Sequence, residues 1–393
     1  TMTTLGNYII TGTGYYETVI AHELVHQWFG NAVSFLTFKD VWLSEGFATY
    51  SEFLWIDKTS GWQSACDYMR SSIQQYYLNW EIAEGPQTIY NPSFNNYFSP
   101  PSYEKAASVL HMLRLKLGDA DFFALLQQYY NTYKNSNAIT AEFQNIAEQV
   151  SGQNLSYFFN QWIYGSGIPN IQYSLWQNEI NNNLEIYAKT TSPTVTSFTV
   201  DIPFRISQNG ISDSLLVIAD PDGYANDYNY PIISDNMEVE ANYNNWTLLN
   251  DLTEQIPRFT ECLPSNDCVM LFWNSFISEK DYQYQLYRKL SSEQEWTLIS
   301  TMDNNTFSYA DTTVSGGFNY DYRLRVLDIN GYFSKFTDTI TITPQSFSFA
   351  NEFLVVDETK DGNGFTINPD DEMVDSFYSA ALGGFACPID NWD

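Results

Sequence analysis

His22-Glu23-Leu24-Val25-His26, with Glu45 following in Leu43-Ser44-Glu45-Gly46-Phe47-Ala48, is the stretch from which the rest of the chain can be read. The spacing predicts a helix over residues 15–29. On it His22 and His26 stand one turn apart on the same face, where both can hold one metal ion with Glu23 beside them. A second apolar run, residues 41–56, predicts another helix that brings in Glu45 as a third ligand. Two imidazoles and one carboxylate leave the fourth tetrahedral position to water, the arrangement of a catalytic rather than a structural zinc ion.

Composition sets the outer limits. The 393 residues carry 17 Lys and Arg against 47 Asp and Glu, a formal charge of -30. Such a surface repels nucleic acid and acidic membranes alike. No uninterrupted apolar run is long enough to span a bilayer. The length predicts about two to four domains, and the 44% hydrophobic content suffices for ordinary cores. Four cysteines are too few for a disulfide scaffold. Cys262 and Cys268 alone are close enough for a local bridge, and a reduced pair is the alternative.

Outward from the motif, residues 1–14 are rich in Thr, Gly and β-branched types and predict an extended edge leading into the first helix. Residues 62–80 read as a helix with apolar positions three and four apart, ended by Gly85-Pro86. A loop over 91–101 delivers the chain to a helix over 103–117, with Ala106, Leu110, Leu113 and Leu117 on one stripe and Gly118-Asp119 as its stop. Tyr103 then sits in a first turn, free to lean over a cleft. His111, between Leu110 and Met112, has no acidic or cysteine partner at ligand spacing and reads as structural or exposed. Helices follow over 121–133, 140–150 with a Thr140 cap, and 155–164.

After Gly165-Ser166-Gly167-Ile168-Pro169 the period falls to two. Ile171-x-Tyr173-x-Leu175 and Phe198-x-Val200-x-Ile202 alternate, and Asp220-Pro221-Asp222-Gly223 predicts a turn. A second alternating module begins near Ile256, with Val269-x-Leu271-x-Trp273 and Tyr320-x-Tyr322-x-Leu324-x-Val326. Its buried Trp and late Tyr pair resemble a fibronectin type III domain. In the tail, residues 353–356 predict a buried strand. The Asp- and Gly-rich residues 357–364 read as a plain turn, because Thr359 would occupy the first ligand position of a calcium loop.

Three separated segments resemble one family in its order: His22 to Asn31, Trp42 to Ala48, and Tyr103-Glu104-Lys105-Ala106-Ala107-Ser108-Val109-Leu110. The chain is similar there to the zinc aminopeptidases of the aminopeptidase N and leukotriene A4 hydrolase type, gluzincin metallopeptidases. The likeness extends to about residue 250. It departs at Ser44, where the family usually has asparagine, and at Ala106, where it usually has glycine. The resemblance implies one zinc ion on His22, His26 and Glu45, and a peptide or protein substrate. It gives Tyr103 the place of the residue that stabilises the transition state. It also implies a segment upstream of Thr1 that supplies the amine-binding element, and no signal peptide is visible.

The chemistry follows from these residue types. A zinc-held water needs a base to take its proton, and Glu23 fills that role rather than a ligand's. Glu52, seven residues after Glu45 and on nearly the same helical face, is placed either to accept a hydrogen bond from a ligand imidazole or to sit in solvent. The expected architecture is multidomain α + β. A mostly helical, thermolysin-like catalytic lobe spans residues 1–166, a β-sandwich 167–253, a fibronectin-like sandwich 254–345, and an incomplete further domain 346–393. The expected activity is hydrolysis of N-terminal peptide bonds by a secreted or cell-surface protein whose β-modules contact an extracellular surface or carbohydrate. An endopeptidase or epoxide hydrolase on the same scaffold, or an inactive adhesive protein, is the alternative.

Overall fold

The computed structural model describes residues 5–345 apart from 179, 181–182, 231–236, 266 and 277–279, together with the backbone of two strands, Phe353–Val356 and Ile389–Trp392. The chain divides into two compact units, Thr1–Gln255 with Gly331–Lys335, and Ile256–Asn330 with Phe336–Asp393. It mixes helices with several separate sheets, as its sequence periods imply.

The first unit begins with helices α1 (Glu17–Val25), α2 (Trp42–Ser60), α3 (Trp62–Tyr68), α4 (Gln75–Glu84), α5 (Ala106–Leu117), α6 (Asp119–Tyr133), α7 (Thr140–Ser151) and α8 (Ser156–Phe159). Its centre is α2, which buries Trp42, Leu43, Phe47, Tyr50 and Phe53 and packs against α1, α3 and α5. Phe47 and Trp42 meet Phe143 of α7 edge to face, a geometry that aromatic quadrupoles favour. The start of α2 is fixed by the buried Asp40, whose carboxylate accepts from the backbone N–H and the hydroxyl of Thr140, each at 2.8 Å. That contact corrects the expected role of Thr140. The N-cap of α7 is Ile139, whose N–H donates to Glu142 at 2.9 Å, while the Thr140 hydroxyl serves Asp40 and accepts from Trp42 at 2.9 Å.

Three π-helical stretches interrupt the helical region: Met69–Gln74 between α3 and α4, Pro101–Lys105 ahead of α5, and Asn160–Tyr164 after α8. Such widened turns are uncommon and cluster at functional sites. The second one carries Tyr103. The helix expected over 62–80 therefore exists in two parts joined by a π-turn, and it runs on to Glu84.

Residues 5–14 are not a strand. Ile9 and Ile10 donate back to Gly6 and Asn7 at 3.0 and 3.3 Å, and the Thr13 hydroxyl accepts from the Tyr15 N–H. Their backbone groups are thus met locally in 3-10 turns, Asn7–Ile9 and Gly14–Tyr16, rather than by a partner strand. Residues 1–4 lie outside the described residues.

A short parallel pair, β1 (Val33–Phe35) and β2 (Ser136–Ala138), flanks the helices. Beyond the helices come β3 (Asn170–Asn178), β4 (Asn183–Thr191), β5 (Val200–Gln208), β6 (Ile211–Ala219), β7 (Tyr224–Asn229), β8 (Glu238–Ala241) and β9 (Asp251–Glu254). They form two sheets, ordered β7-β4-β3-β9 and β6-β5-β8. Their buried side chains, Ile171, Leu175, Ile186, Ile202 and Phe204 among them, continue the core of the helices.

In the second unit β10 (Phe259–Ser265), β11 (Cys268–Trp273), β12 (Tyr282–Leu290), β13 (Thr297–Asp303), β14 (Ser308–Asp311), β15 (Tyr320–Asp328) and β16 (Ile340–Ile342) make sheets β10-β11-β14 and β13-β12-β15-β16. Trp273, Tyr284, Leu286, Tyr322, Leu324 and Val326 are buried. Cys262 and Cys268 are both free thiols. Cys262 lies opposite Leu271 and Cys268 opposite Ser265. Ser265 is three residues from Cys262, so strand alternation sends the two thiols to opposite faces of the hairpin. The tail strands β17 (Phe353–Val356) and β18 (Ile389–Trp392) pair in parallel, and the Asp- and Gly-rich stretch over 357–364 lies outside the described residues. No helix among the described residues is long and apolar enough to cross a membrane.

Candidate metal centre

Helix α1 carries His22, with His26 as its C-cap, and none of its side chains is fully buried. Polar contacts help to hold it on α2. Trp55 of α2 donates to the Glu17 carboxylate at 3.3 Å, and the Ser51 hydroxyl to the Ala21 carbonyl at 3.4 Å. The imidazoles of His22 and His26 lie edge to face, 4.9 Å between centroids. Glu45, in the first turn of α2, brings Oε2 to 3.5 Å from His22 Nε2 and 3.2 Å from His26 Nε2. Among the described residues this trio is the one group of three or more His, Cys, Asp or Glu positioned to share an ion, its ligand atoms all within 4.8 Å of one another.

The other ring nitrogens decide what the trio can hold. His22 Nδ1 is 2.9 Å from Glu52 Oε1, so of the two placements open to Glu52 the hydrogen-bonded one is present. His26 Nδ1 is 3.1 Å from the Phe29 carbonyl and 3.2 Å from the Ser44 hydroxyl. An ionised carboxylate and a carbonyl can only accept, so in the neutral rings both Nδ1 atoms carry the proton and both Nε2 lone pairs face Glu45. Three electron-rich atoms at this separation repel unless a cation lies among them. The residues therefore fit a zinc ion, for which neutral imidazoles and a carboxylate are suitable donors.

The same demand appears in the proton affinities. Burial opposes charge on His22, but hydrogen bonds and charge from Glu45 and Glu52 outweigh it and carry its pKa up to about 9. His26 is raised in the same way by Glu45. Burial likewise opposes charge on Glu45, and the two imidazoles pull it down to about 2.

Two glycines make the geometry possible. A Cβ on Gly30, whose φ is +120°, would lie 2.5 Å from the Ser44 hydroxyl and 3.0 Å from His26 Nδ1. Side chain and backbone conformation both exclude larger residues there. A Cβ on Gly46 would lie 2.6 Å from the Ala106 Cβ, so the absence of a side chain lets α2 approach the helix that follows Tyr103.

Tyr103 sits in the π-turn closed by the Lys105 N–H donating to the Pro100 carbonyl at 3.0 Å. Its ring stacks parallel to His22, with centroids 6.0 Å apart. Burial, and then the charge of Glu45 to which its hydroxyl donates, push its pKa upward, so it remains a protonated donor. Glu23 is half-buried beside its ligand neighbour, and its charge reaches Tyr103.

His111 stands apart from the centre. Fully buried on α5, it accepts or donates at 3.2 Å with the Tyr50 hydroxyl and stacks on Trp246, centroids 4.2 Å apart. That is the structural histidine expected of it.

Two polar residues here were given no role by the sequence. Glu104 has a buried Oε2 without a hydrogen-bond partner, and burial with the Glu52 charge pushes it up to about 7. Tyr68, the last residue of α3, donates its hydroxyl to Glu52 Oε2. Glu104 was visible as the neighbour of Tyr103. Tyr68 was visible only as one more position on an apolar helix.

A two-His, one-Glu centre on adjacent helices, with a further carboxylate and a tyrosine hydroxyl beside it, defines a metallohydrolase class. Within that class, residues 8–162 match the peptidase family M1 domain. That stretch is thus similar to the metallopeptidase domain of the aminopeptidases.

Among relatives, the probable aminopeptidase 2 of Sulfurisphaera tokodaii is 34% identical over 174 residues, 42% of this chain and 22% of that protein. Aminopeptidase N of Rattus norvegicus is 28% identical over 252 residues, 59% of this chain and 25% of that protein. Crystalline Legionella pneumophila aminopeptidase A, in complex with aspartic acid, superposes with a TM-score of 0.51 at 16% identity. It covers 60% of this chain and 26% of its own, a likeness of fold alone. The chain thus spans about a quarter or less of the length of these proteins.

Proposed function

We propose that this domain is the catalytic part of a zinc-dependent aminopeptidase, with His22, His26 and Glu45 as ligands, Glu23 as general base and Tyr103 as oxyanion donor. The observation that carries the reading is the convergence of two imidazole Nε2 atoms and one carboxylate oxygen whose remaining ring nitrogens are already committed to hydrogen bonds. Zinc at this position would supply Lewis acidity, acidifying a water and polarising the scissile carbonyl.

The chain's own residues do the rest. Glu23 belongs to the motif but not to the convergent trio, and its role in this reading is to take the attacking water's proton and return it to the departing amine. As the carbonyl carbon becomes tetrahedral, negative charge grows on its oxygen. The Tyr103 hydroxyl, kept protonated by its surroundings, donates to that oxygen and stabilises the charge where it develops. Glu52 and the Phe29 carbonyl hold the imidazoles in the tautomer that presents Nε2. The preference for N-terminal bonds rests on the relatives' names.

The second unit we read as a fibronectin type III-like module. Its support is the three-plus-four strand order with Trp273 and Tyr322 in the interior.

The test is metal dependence. Hydrolysis of unblocked aminoacyl amides should vanish on exhaustive chelation, with one zinc lost per chain, and return with added zinc. Undiminished hydrolysis by metal-free protein would overturn the proposal.

A further inference from the structure

Glu52 is more than a single hydrogen-bond partner. One carboxylate oxygen accepts from His22 Nδ1 at 2.9 Å, and the other accepts from the Tyr68 hydroxyl. The Tyr68 oxygen in turn is hydrogen-bonded by the Thr18 side chain. Thr18 and His22 are four residues apart, one turn of α1, so both face the same neighbour. The contacts close into a ring: Thr18 and His22 on α1, Glu52 on α2, Tyr68 on α3.

We infer that Thr18 and Tyr68 are positioning residues for the ligand His22, acting through Glu52. The inference rests on the zinc reading above. Its physical basis is that the side chains of α1 are at most half-buried, so packing fixes its rotation and register less firmly than a fully buried face would. A carboxylate held at one oxygen only can turn about its terminal torsion, which is broad. Held at both, it presents a fixed acceptor to Nδ1–H. That acceptor sets the tautomer of His22 and aims Nε2 at the point where His26 and Glu45 also converge. Ordering is then complete before an ion arrives, and binding has less of it to supply.

The experiment measures zinc affinity by competition with a chromogenic chelator and, separately, the melting of the metal-free protein. Tyr68→Phe keeps the ring and removes only the hydroxyl. It should weaken zinc binding by about 10–100-fold, the usual effect of losing a partner of a ligand. Thr18→Val should give a smaller loss, and Thr18→Ser, which keeps the hydroxyl, should restore wild-type affinity. If wild type takes up one zinc while Tyr68→Phe and Thr18→Val both bind within about twofold of it and merely melt earlier, the ring is structural and the inference fails. If wild type itself binds no zinc, the fault lies in the functional proposal instead. Should Tyr68→Phe fail to fold, the comparison of Thr18→Val with Thr18→Ser decides alone.

Discussion

Replacing Gly46 by alanine tests whether the distance between α2 and α5 is set by one missing methyl group. The added Cβ would sit 2.6 Å from the Ala106 Cβ and 3.5 Å from the Ser102 carbonyl oxygen. Carbon atoms are comfortable at about 3.5–4.0 Å, so α2 and α5 must part by roughly 1 Å. Overpacking of this kind costs about 1–3 kcal/mol, which in a unit of this size lowers Tm by ~2–4 °C per kcal/mol. The same displacement separates Glu45, the residue before Gly46, from Tyr103, three residues before Ala106. A misplacement of about 1 Å is enough to lower kcat on the order of 10²-fold.

The compensating change is Ala106→Gly. Alone it should cost about 1 kcal/mol through helix propensity. Combined with Gly46→Ala it moves the methyl from one helix to the other and restores the approach. Thermal melting and steady-state kinetics on the four proteins of this cycle should yield a favourable coupling of about 1–3 kcal/mol and recovery of most of the lost kcat. Additive losses in stability, or a Gly46→Ala enzyme with wild-type turnover, would refute the close-approach argument.

Three further outcomes are expected. Glu23→Gln should retain stoichiometric zinc by metal analysis while losing most turnover; loss of the metal would make Glu23 a ligand. Tyr103→Phe should reduce kcat by about 10²–10³-fold at nearly constant KM, and a kcat within about twofold of wild type would leave the tyrosine a packing residue. The buried His111 has its pKa driven well below the ordinary value by burial and the nearby Arg114. The unfolded chain therefore takes up a proton below about pH 6.5 that the folded chain refuses, and stability from this site is complete above that pH and falls as the solution is acidified, by up to ~1.4 kcal/mol per pH unit. His111→Leu should flatten that slope, measured as urea midpoints at pH 7 and pH 5.5; an unchanged slope would mean that other groups set the acid limit.

How much was legible depended on how local the information was. The four-residue interval of His22 and His26 reads directly as one helical face. The alternation around Ile171, Tyr173 and Leu175 reads as a strand, but nothing in it states that β3 takes β9 as a parallel neighbour. The first helix was expected to reach residue 29. It ends at Val25 because the Trp28 and Phe29 amides turn back to the Val25 carbonyl, and the Gly30 amide then meets the Val33 carbonyl at 2.8 Å, a turn that needs the positive φ of Gly30. Thr140 looked like a cap because threonine suits that place. A buried carboxylate 100 residues away claimed its hydroxyl. Tyr68 was illegible for the same reason, since its partner lies 16 residues off, on another helix. For the cysteine pair the sequence left a bridge and a reduced pair both open, and strand register decides for free thiols on opposite faces.

Charge counting joins these observations. The carboxylates of Glu45 and Glu52 each contact an imidazole that is neutral when it serves as a ligand, so the ligand cluster carries two negative charges. A divalent cation would balance it. A further ionised carboxylate in this volume would be costly, and Glu104, buried against Glu52, is accordingly pushed up to about 7 rather than left fully ionised. Both balancing carboxylates stand on α2, which buries a long apolar face, whereas His22 stands on α1, a helix with no fully buried side chain, and His26 at its C-cap. The imidazoles are therefore placed by charge and hydrogen bonds emanating from a rigid neighbour. The hydrophobic core determines where the carboxylates are, and the carboxylates determine where the histidines are.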